Sequence, residues 1–290
     1  MVEYPPFYGV AGDSCGLQEP ELMKPFLAEP FASLWAQQDV FTAVEALEGE
    51  VYRELEGRRT LRTEVDGRGY FVKIHRGIGW AEIVKNLLSA RLPVLGARNE
   101  YIAIQRLQQA GVATMTTVAF AERGSNPARQ HSFIITEELA PTISLEDYCM
   151  GWPQQPPAFA IKRALLERVA DMTGRMHRAG VNHRDCYICH FLLHNDQPVQ
   201  PECFRLSLID LHRAQSREQT PTRWRNKDLA ALYFSALDIG LTRRDKLRFL
   251  RVYFDQPLRQ ILREEADLLH WLEKKATKLY ARKQRYGDAL

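Results

Sequence analysis

The 290 residues contain no apolar run of the ~18 residues that a membrane-spanning helix needs. No basic segment followed by an apolar one stands at the start, so no secretory signal is read there and a cytoplasmic protein is expected. Cysteine is scarce and irregular: Cys15, Cys149, Cys186, Cys189 and Cys203, an odd count that fits no disulfide framework. Net charge is only +3, too little to imply nucleic acid. The first 22 residues lack Lys and Arg altogether, and 1–22 are read as a disordered extension. No internal repeat or low-complexity tract interrupts the rest. With 45% hydrophobic and 26% charged residues, the chain is an ordinary globular protein, long enough for two lobes around a cleft.

What is present divides into two halves. Val51–Glu56 and Thr60–Val65 alternate with period two. Asp66-Gly67-Arg68-Gly69 is a hairpin signal leading into Tyr70-Phe71-Val72-Lys73-Ile74. A lysine inside an apolar strand is costly unless it faces water or an anion. Helices are expected over 80–91, with Ile83, Leu87 and Leu88 on one face and Pro93 as terminator, and over 97–110, capped by Gly111, with Glu100 in the first turn. Strands are expected over Val112–Phe120 and Ser132–Thr136, then an extended connector ending at Pro141.

The second half reads as helical. Ser144 with Asp147 has capping-box spacing. Residues 160–179 carry an amphipathic stripe of Ile161, Leu165, Val169, Met172 and Met176, ended by Gly180. A strand over Phe204–Ile209 runs into Asp210. Helices are expected over 227–237, 243–254 and from 258 into the tail. The predicted class is α+β: a β-rich N-lobe over 23–137 and a helical C-lobe over 138–290, the order of a bilobal kinase.

Residues 182–194, Asn-His-Arg-Asp-Cys-Tyr-Ile-Cys-His-Phe-Leu-Leu-His, admit two readings. His183-Arg184-Asp185 followed by an apolar strand has the form of a protein-kinase-like catalytic loop. Cys186-x-x-Cys189-His190 matches the c-type haem attachment pattern. Haem attachment conflicts with the expected compartment, and the lobe order favours the kinase.

The same stretch resembles the signature of the lipopolysaccharide core heptose(I) kinases, the WaaP/RfaP family. So do Arg58-Arg-Thr-Leu-Arg62, Phe71–Gly77, Pro93–Ala97, Phe133–Glu138, Ile143–Cys149, Ile209-Asp-Leu-His-Arg-Ala-Gln215 and Trp224–Leu229. The resemblance runs from about residue 28 to the C-terminus. It implies a protein-kinase-like fold, ATP with Mg²⁺, and transfer of the γ-phosphoryl group to the first heptose of the inner core on lipid A–Kdo. The setting implied is the cytoplasmic face of a Gram-negative inner membrane. It leaves any protein partner open.

On that basis Asp185 is the expected catalytic base and Asp210 a metal ligand. Lys73 should contact the α/β-phosphates, paired with Glu100, or with Glu82 as fallback. Arg58 and Arg59 flank Gly57 where a glycine-rich loop is otherwise expected, and guanidinium groups can bind phosphate. Glu137 and Leu139 belong to the adenine hinge, contacting by backbone. His190 replaces the usual metal-binding asparagine and either ligates metal or hydrogen-bonds the loop. Asp228 resembles the aspartate that braces the catalytic loop. Cys186 and Cys189 are read as reduced thiols or as zinc ligands. In the tail, Lys274, Lys275, Lys278, Arg282, Lys283 and Arg285 outnumber Glu273 and Asp288, a basic amphipathic helix suited to an anionic membrane surface or left in solvent. Alternatives are a protein-tyrosine kinase, a kinase of another sugar, a nucleotide-binding pseudokinase and a Cys/His metal protein.

Overall fold

A computed structural model describes residues 24–55, 57–77, 79–88 and 96–286. The expected extension at 1–22 and the Pro93 terminator lie outside these, as does the side chain of Glu82. Strand β1 (Phe26–Leu27) precedes two short helices, α1 (Phe31–Leu34) and α2 (Val40–Glu45). Then come β2 (Glu50–Leu55), β3 (Arg58–Val65), β4 (Arg68–His75), α3 (Gly79–Leu88), α4 (Arg98–Gln109), β5 (Thr117–Arg123) and β6 (His131–Glu137). The strands form an antiparallel sheet in the order β1-β5-β6-β4-β3-β2.

The hairpin signal acts as its chemistry requires. Val65 pairs with Arg68, leaving Asp66-Gly67 as a two-residue loop with φ of 52° and 72°. Both angles belong to the turn type that Asp-Gly favours. Pleating then sorts the side chains. Tyr70, Val72 and Ile74 are buried with Leu61, Phe31 and Phe133, whereas Lys73 points to the opposite face.

Helix α4 is placed by its apolar face and by one stacked pair. Ile104 and Leu107 are fully buried, and the Tyr101 ring lies 4.1 Å from that of Phe120. Gly111, at φ 69°, ends the helix, and the Val112 N–H returns to the Leu107 carbonyl. Residues 112–116 are not strand as expected. Their β-rich composition instead carries the chain from α4 toward the second lobe, where Thr114 pairs in parallel with Leu208. At the far end of α4, Arg106 donates to the carbonyl of Arg217.

The second lobe holds β7 (Thr142–Ser144), α5 (Leu145–Cys149), α6 (Phe159–Arg178), β8 (Val181–Asn182), β9 (Phe191–His194), β10 (Leu206–Leu208), β11 (Gln215–Ser216) and α7 (Thr222–Ser235). It closes with α8 (Arg243–Phe254), α9 (Leu258–Glu264) and α10 (Ala266–Tyr286). Ser144 caps α5 through the Asp147 N–H. Leu165, Val169, Met172 and Met176 on α6 are buried as their spacing predicts. At Gly180, φ is 77°, and a Cβ would collide with the Arg217 carbonyl oxygen.

Two further boundaries and one helix face differ from expectation. α7 starts at Thr222 because the preceding Pro221 supplies an extended entry that the polar residues 222–226 concealed. The segment after 258 divides at Glu265, which closes α9. In α3, Ile83 is buried but Leu88 is exposed, so the two do not share a buried face. Between α5, α6, α7, α8 and α10 lies a cavity of about 550 Å³, lined by Leu145, Trp152, Leu165, Phe249 and Leu272. None of the described helices is long and apolar enough to cross a membrane.

Candidate active site

Strand pairing brings two loops side by side. Residues 183–190 join β8 to β9, and residues 209–214 join β10 to β11. Because β8 pairs with β11 and β9 with β10, the loops are pinned at both ends. The Ile209 N–H donates to the His190 carbonyl, and His183 Nε2 donates to the Ile209 carbonyl, both at 2.9 Å. Burial pulls the His183 imidazole below its usual pKa, so this donor is held neutral.

Each loop contains one residue in the left-handed region that is not glycine: Arg184 at φ 73° and Asp210 at φ 62°. Such conformations cost about 1–3 kcal/mol and need outside support. Buried Asp228 supplies it at the first loop, accepting the N–H groups of His183 at 2.6 Å and Arg184 at 2.8 Å.

Asp185 and Asp210 are therefore brought close together, with His190 in contact with both residues. Arg213 Nη1 reaches both carboxylate oxygens of Asp185, at 2.7 and 3.0 Å. At Asp210, His212 Nδ1 donates to Oδ1 at 2.6 Å, and His190 Nε2 lies 3.5 Å from Oδ2. Burial works to raise the Asp210 pKa, but His212, Lys73 and His190 outweigh it and hold the carboxyl below its usual range. The other nitrogen of His190, Nδ1, donates to the Asp185 carbonyl at 2.7 Å. His190 thereby ties the two loops together, with Nε2 facing the Asp210 carboxylate.

From the first lobe, Lys73 Nζ makes a 2.6 Å ion pair with Glu100, which is 1% exposed. Arg58 shares this face: burial lowers its pKa while Glu100 and Asp210 pull it upward. Arg59 does not. Pleating turns it to the other side of β3, where it donates to the Glu45 carbonyl at 3.2 Å. Arg58 Nε, Thr60 Oγ1, His75 Nε2 and Glu100 Oε2 are buried without a hydrogen-bond partner. Four such atoms around Lys73 describe a polar cradle for a charged ligand.

At the connector, the Glu137 N–H donates to the Thr116 carbonyl and the Glu138 N–H to Gly69. Arg62 clamps the Glu138 carboxylate at 2.7 and 2.8 Å. The Leu139 carbonyl accepts from Thr142. Cys186 and Cys189 have thiol pKa values raised by burial, well above the usual range and to about 11 respectively. No group of three or more His, Cys, Asp or Glu side chains is assembled for a metal among the described residues. That bears on a protein-only zinc site, not on Mg²⁺, which takes one or two carboxylates and completes its shell with phosphates and water.

Sequence reading missed Arg213 and His75. Arg213 lies 28 positions from Asp185, within the Ile209–Gln215 stretch of the resemblance but with no role assigned to it there. His75 follows the strand lysine by two and shares its face.

A β-sheet lobe bearing an ion-paired lysine, a helical lobe with two aspartates on adjacent loops, and a cleft between them define a protein-kinase-like phosphotransferase. The chain belongs to the lipopolysaccharide kinase (Kdo/WaaP) family, which it matches over residues 42–253. It is 74% identical over 268 residues to the lipopolysaccharide core heptose(I) kinase WaaP of Pseudomonas aeruginosa, covering 92% of this chain and all of that protein. It is 55% identical over 261 residues to the WaaP of Escherichia coli K12, covering 90% and 98%. A solved structure, WaaP in complex with acyl carrier protein, superimposes with a TM-score of 0.80 at 68% identity, covering 89% of this chain and all of that one.

Proposed function

We propose that the protein transfers the γ-phosphoryl group of ATP to a hydroxyl of the first heptose in the lipopolysaccharide inner core. The observation that carries this is the convergence of Asp185, Asp210 and the Lys73–Glu100 pair, together with relatives of 74% and 55% identity named for that reaction. Asp185 orients the sugar hydroxyl and takes its proton as the new O–P bond forms and the bond to ADP breaks. Lys73 and Arg58 meet the nucleotide phosphates. Arg59 has no part in this, since it faces away. Asp210 and His190 would hold Mg²⁺, which compensates phosphate charge when bound. The hinge at Glu137 and Leu139 lies against adenine. The lobes so used are 23–137 and 138–290.

We further infer that the chain docks on the inner face of the inner membrane through the basic residues of α10. An acyl carrier protein is a partner on the same footing. A relative is solved in complex with one, and the apolar 550 Å³ cavity suits the acyl chain that such a carrier bears.

The test uses purified protein, labelled ATP with Mg²⁺ and lipopolysaccharide lacking core phosphate, with Asp185→Ala alongside and mass spectrometry to locate new phosphate. Phosphate on the first heptose, absent with the variant, is expected. Label only on the protein's own tyrosines would favour a protein-tyrosine kinase instead.

A further inference from the structure

At the start of α7, joined to the catalytic loop through Arg184, stands a group of cations that the nucleotide phosphates do not require. Three of them gather on one ring: Lys227 Nζ lies 4.3 Å from the centre of Trp224, and the guanidinium carbons of Arg223 and Arg184 lie 5.4 and 5.8 Å from it. Trp224 is one helical turn before Asp228 on α7, and Asp228 grips the backbone of His183 and Arg184. The group is therefore fixed relative to the catalytic loop. Arg223 and Lys227 are exposed, so the patch is open to a ligand.

The aromatic face attracts these cations but does not neutralise them. Besides desolvation, the groups that depress the Lys227 pKa are all cations: Arg223, Lys275 of α10 and Arg184. At Arg184, desolvation and Arg213 depress the pKa while Asp185 and Asp228 partly offset them, so the uncompensated charge lies on the Arg223 and Lys227 side of the ring. Gathering like charges costs free energy in the empty protein, and a bound anion recovers it. The nucleotide does not need this patch, since Lys73 and Arg58 approach the cleft from the other lobe. The acceptor of the proposed reaction is the remaining ligand, and an anionic group on it would match this patch.

We propose that Arg184, Arg223 and Lys227, assembled on Trp224, form the acceptor subsite that binds a carboxylate or phosphate of the glycolipid and so seats the sugar hydroxyl at Asp185. This rests on the kinase reading above. The anion comes from an acidic sugar or from a lipid-borne phosphate of the acceptor; both suit guanidinium and ammonium donors.

The experiment compares wild type, Arg223→Gln/Lys227→Gln and Arg223→Lys as full-length protein. Phosphate-free core glycolipid is presented in neutral detergent micelles, intact, with its sugar carboxylates reduced to alcohols, or with its lipid phosphates removed. The double variant should raise the acceptor KM about tenfold or more, with the ATP KM unchanged and kcat within about twofold. Arg223→Lys should retain part of the affinity. The acceptor on which wild type and double variant become equal identifies the anion. An acceptor KM unchanged by the double substitution overturns the subsite. So does an effect seen only when anionic vesicles replace micelles, which would mark a membrane contact. Wild type that transfers no phosphate to any acceptor removes the kinase reading, and the subsite with it.

Discussion

Arg213 Nη1 bridges both carboxylate oxygens of Asp185, at 2.7 and 3.0 Å, across 28 residues of chain. One donor shared by both oxygens holds the carboxylate in place end-on and leaves its outer lone pairs for a substrate hydroxyl. If Asp185 is the base, Arg213 is a positioning residue for it. Arg213→Ala should lower kcat about ten- to a hundredfold while the ATP dissociation constant stays put. Calorimetric ATP titration beside steady-state kinetics separates the two, and an unchanged kcat would assign the pair to folding alone.

Adjacent arginines should behave oppositely. Arg58 faces Glu100 and Asp210, whereas Arg59 faces the Glu45 carbonyl. Arg58→Ala is expected to raise the ATP KM about tenfold, the value of one charge-assisted phosphate contact. Arg59→Ala should leave it within about twofold. ATP titrations of the two variants check this, and equal effects would contradict the strand pleat described here.

The ion pair at the sheet should be costly to break singly. Glu100 is 1% exposed and Lys73 15% exposed. Removing the lysine strands a buried carboxylate, a loss of about 3–5 kcal/mol. Lys73→Met should lower the melting temperature, and Lys73→Met/Glu100→Leu should recover most of it without recovering activity. Differential scanning fluorimetry paired with a phosphoryl-transfer assay reads both.

His75 gives stability a pH dependence. Burial, aided by Arg58, Lys73 and His212, depresses its pKa to about 3, against 6.5 for the free side chain. Between those values the unfolded chain binds a proton that the native fold refuses. Stability is therefore complete above about pH 6.5 and declines as pH falls, by at most ~1.4 kcal/mol per unit. Urea unfolding at pH 7, 6, 5 and 4 should show a shallower decline for His75→Asn than for wild type. Parallel curves would mean that His75 is protonated in the native state.

Legibility in the sequence followed locality. The Asp66-Gly67 turn, the Gly111 and Gly180 stops and the Ser144 cap are each decided within a few residues, and each is found where its chemistry put it. Lys73 stood out because a charge in an apolar strand demands a partner, and Glu100 supplies it. Contacts made by folding across the chain left no such trace. Arg213 looked like any basic residue after Asp-Leu-His until β8 paired with β11 and brought it to Asp185. Arg58 and Arg59 were indistinguishable without the strand register. Residues 112–116 had strand composition, but their backbone is divided between closing α4 at Val112, a bridge to Leu208 in the other lobe and a bond from Glu137, so they do not extend β5.

Helix α4 is a single rod with a task at each end. Glu100 in its first turn engages the strand lysine, and Arg106 in its last turn grasps the carbonyl of Arg217 on the segment that leads to Trp224. A tilt that improves one grip disturbs the other. Any coupling between ATP and glycolipid that this helix carries must be reciprocal, each ligand changing the affinity of the other by the same factor.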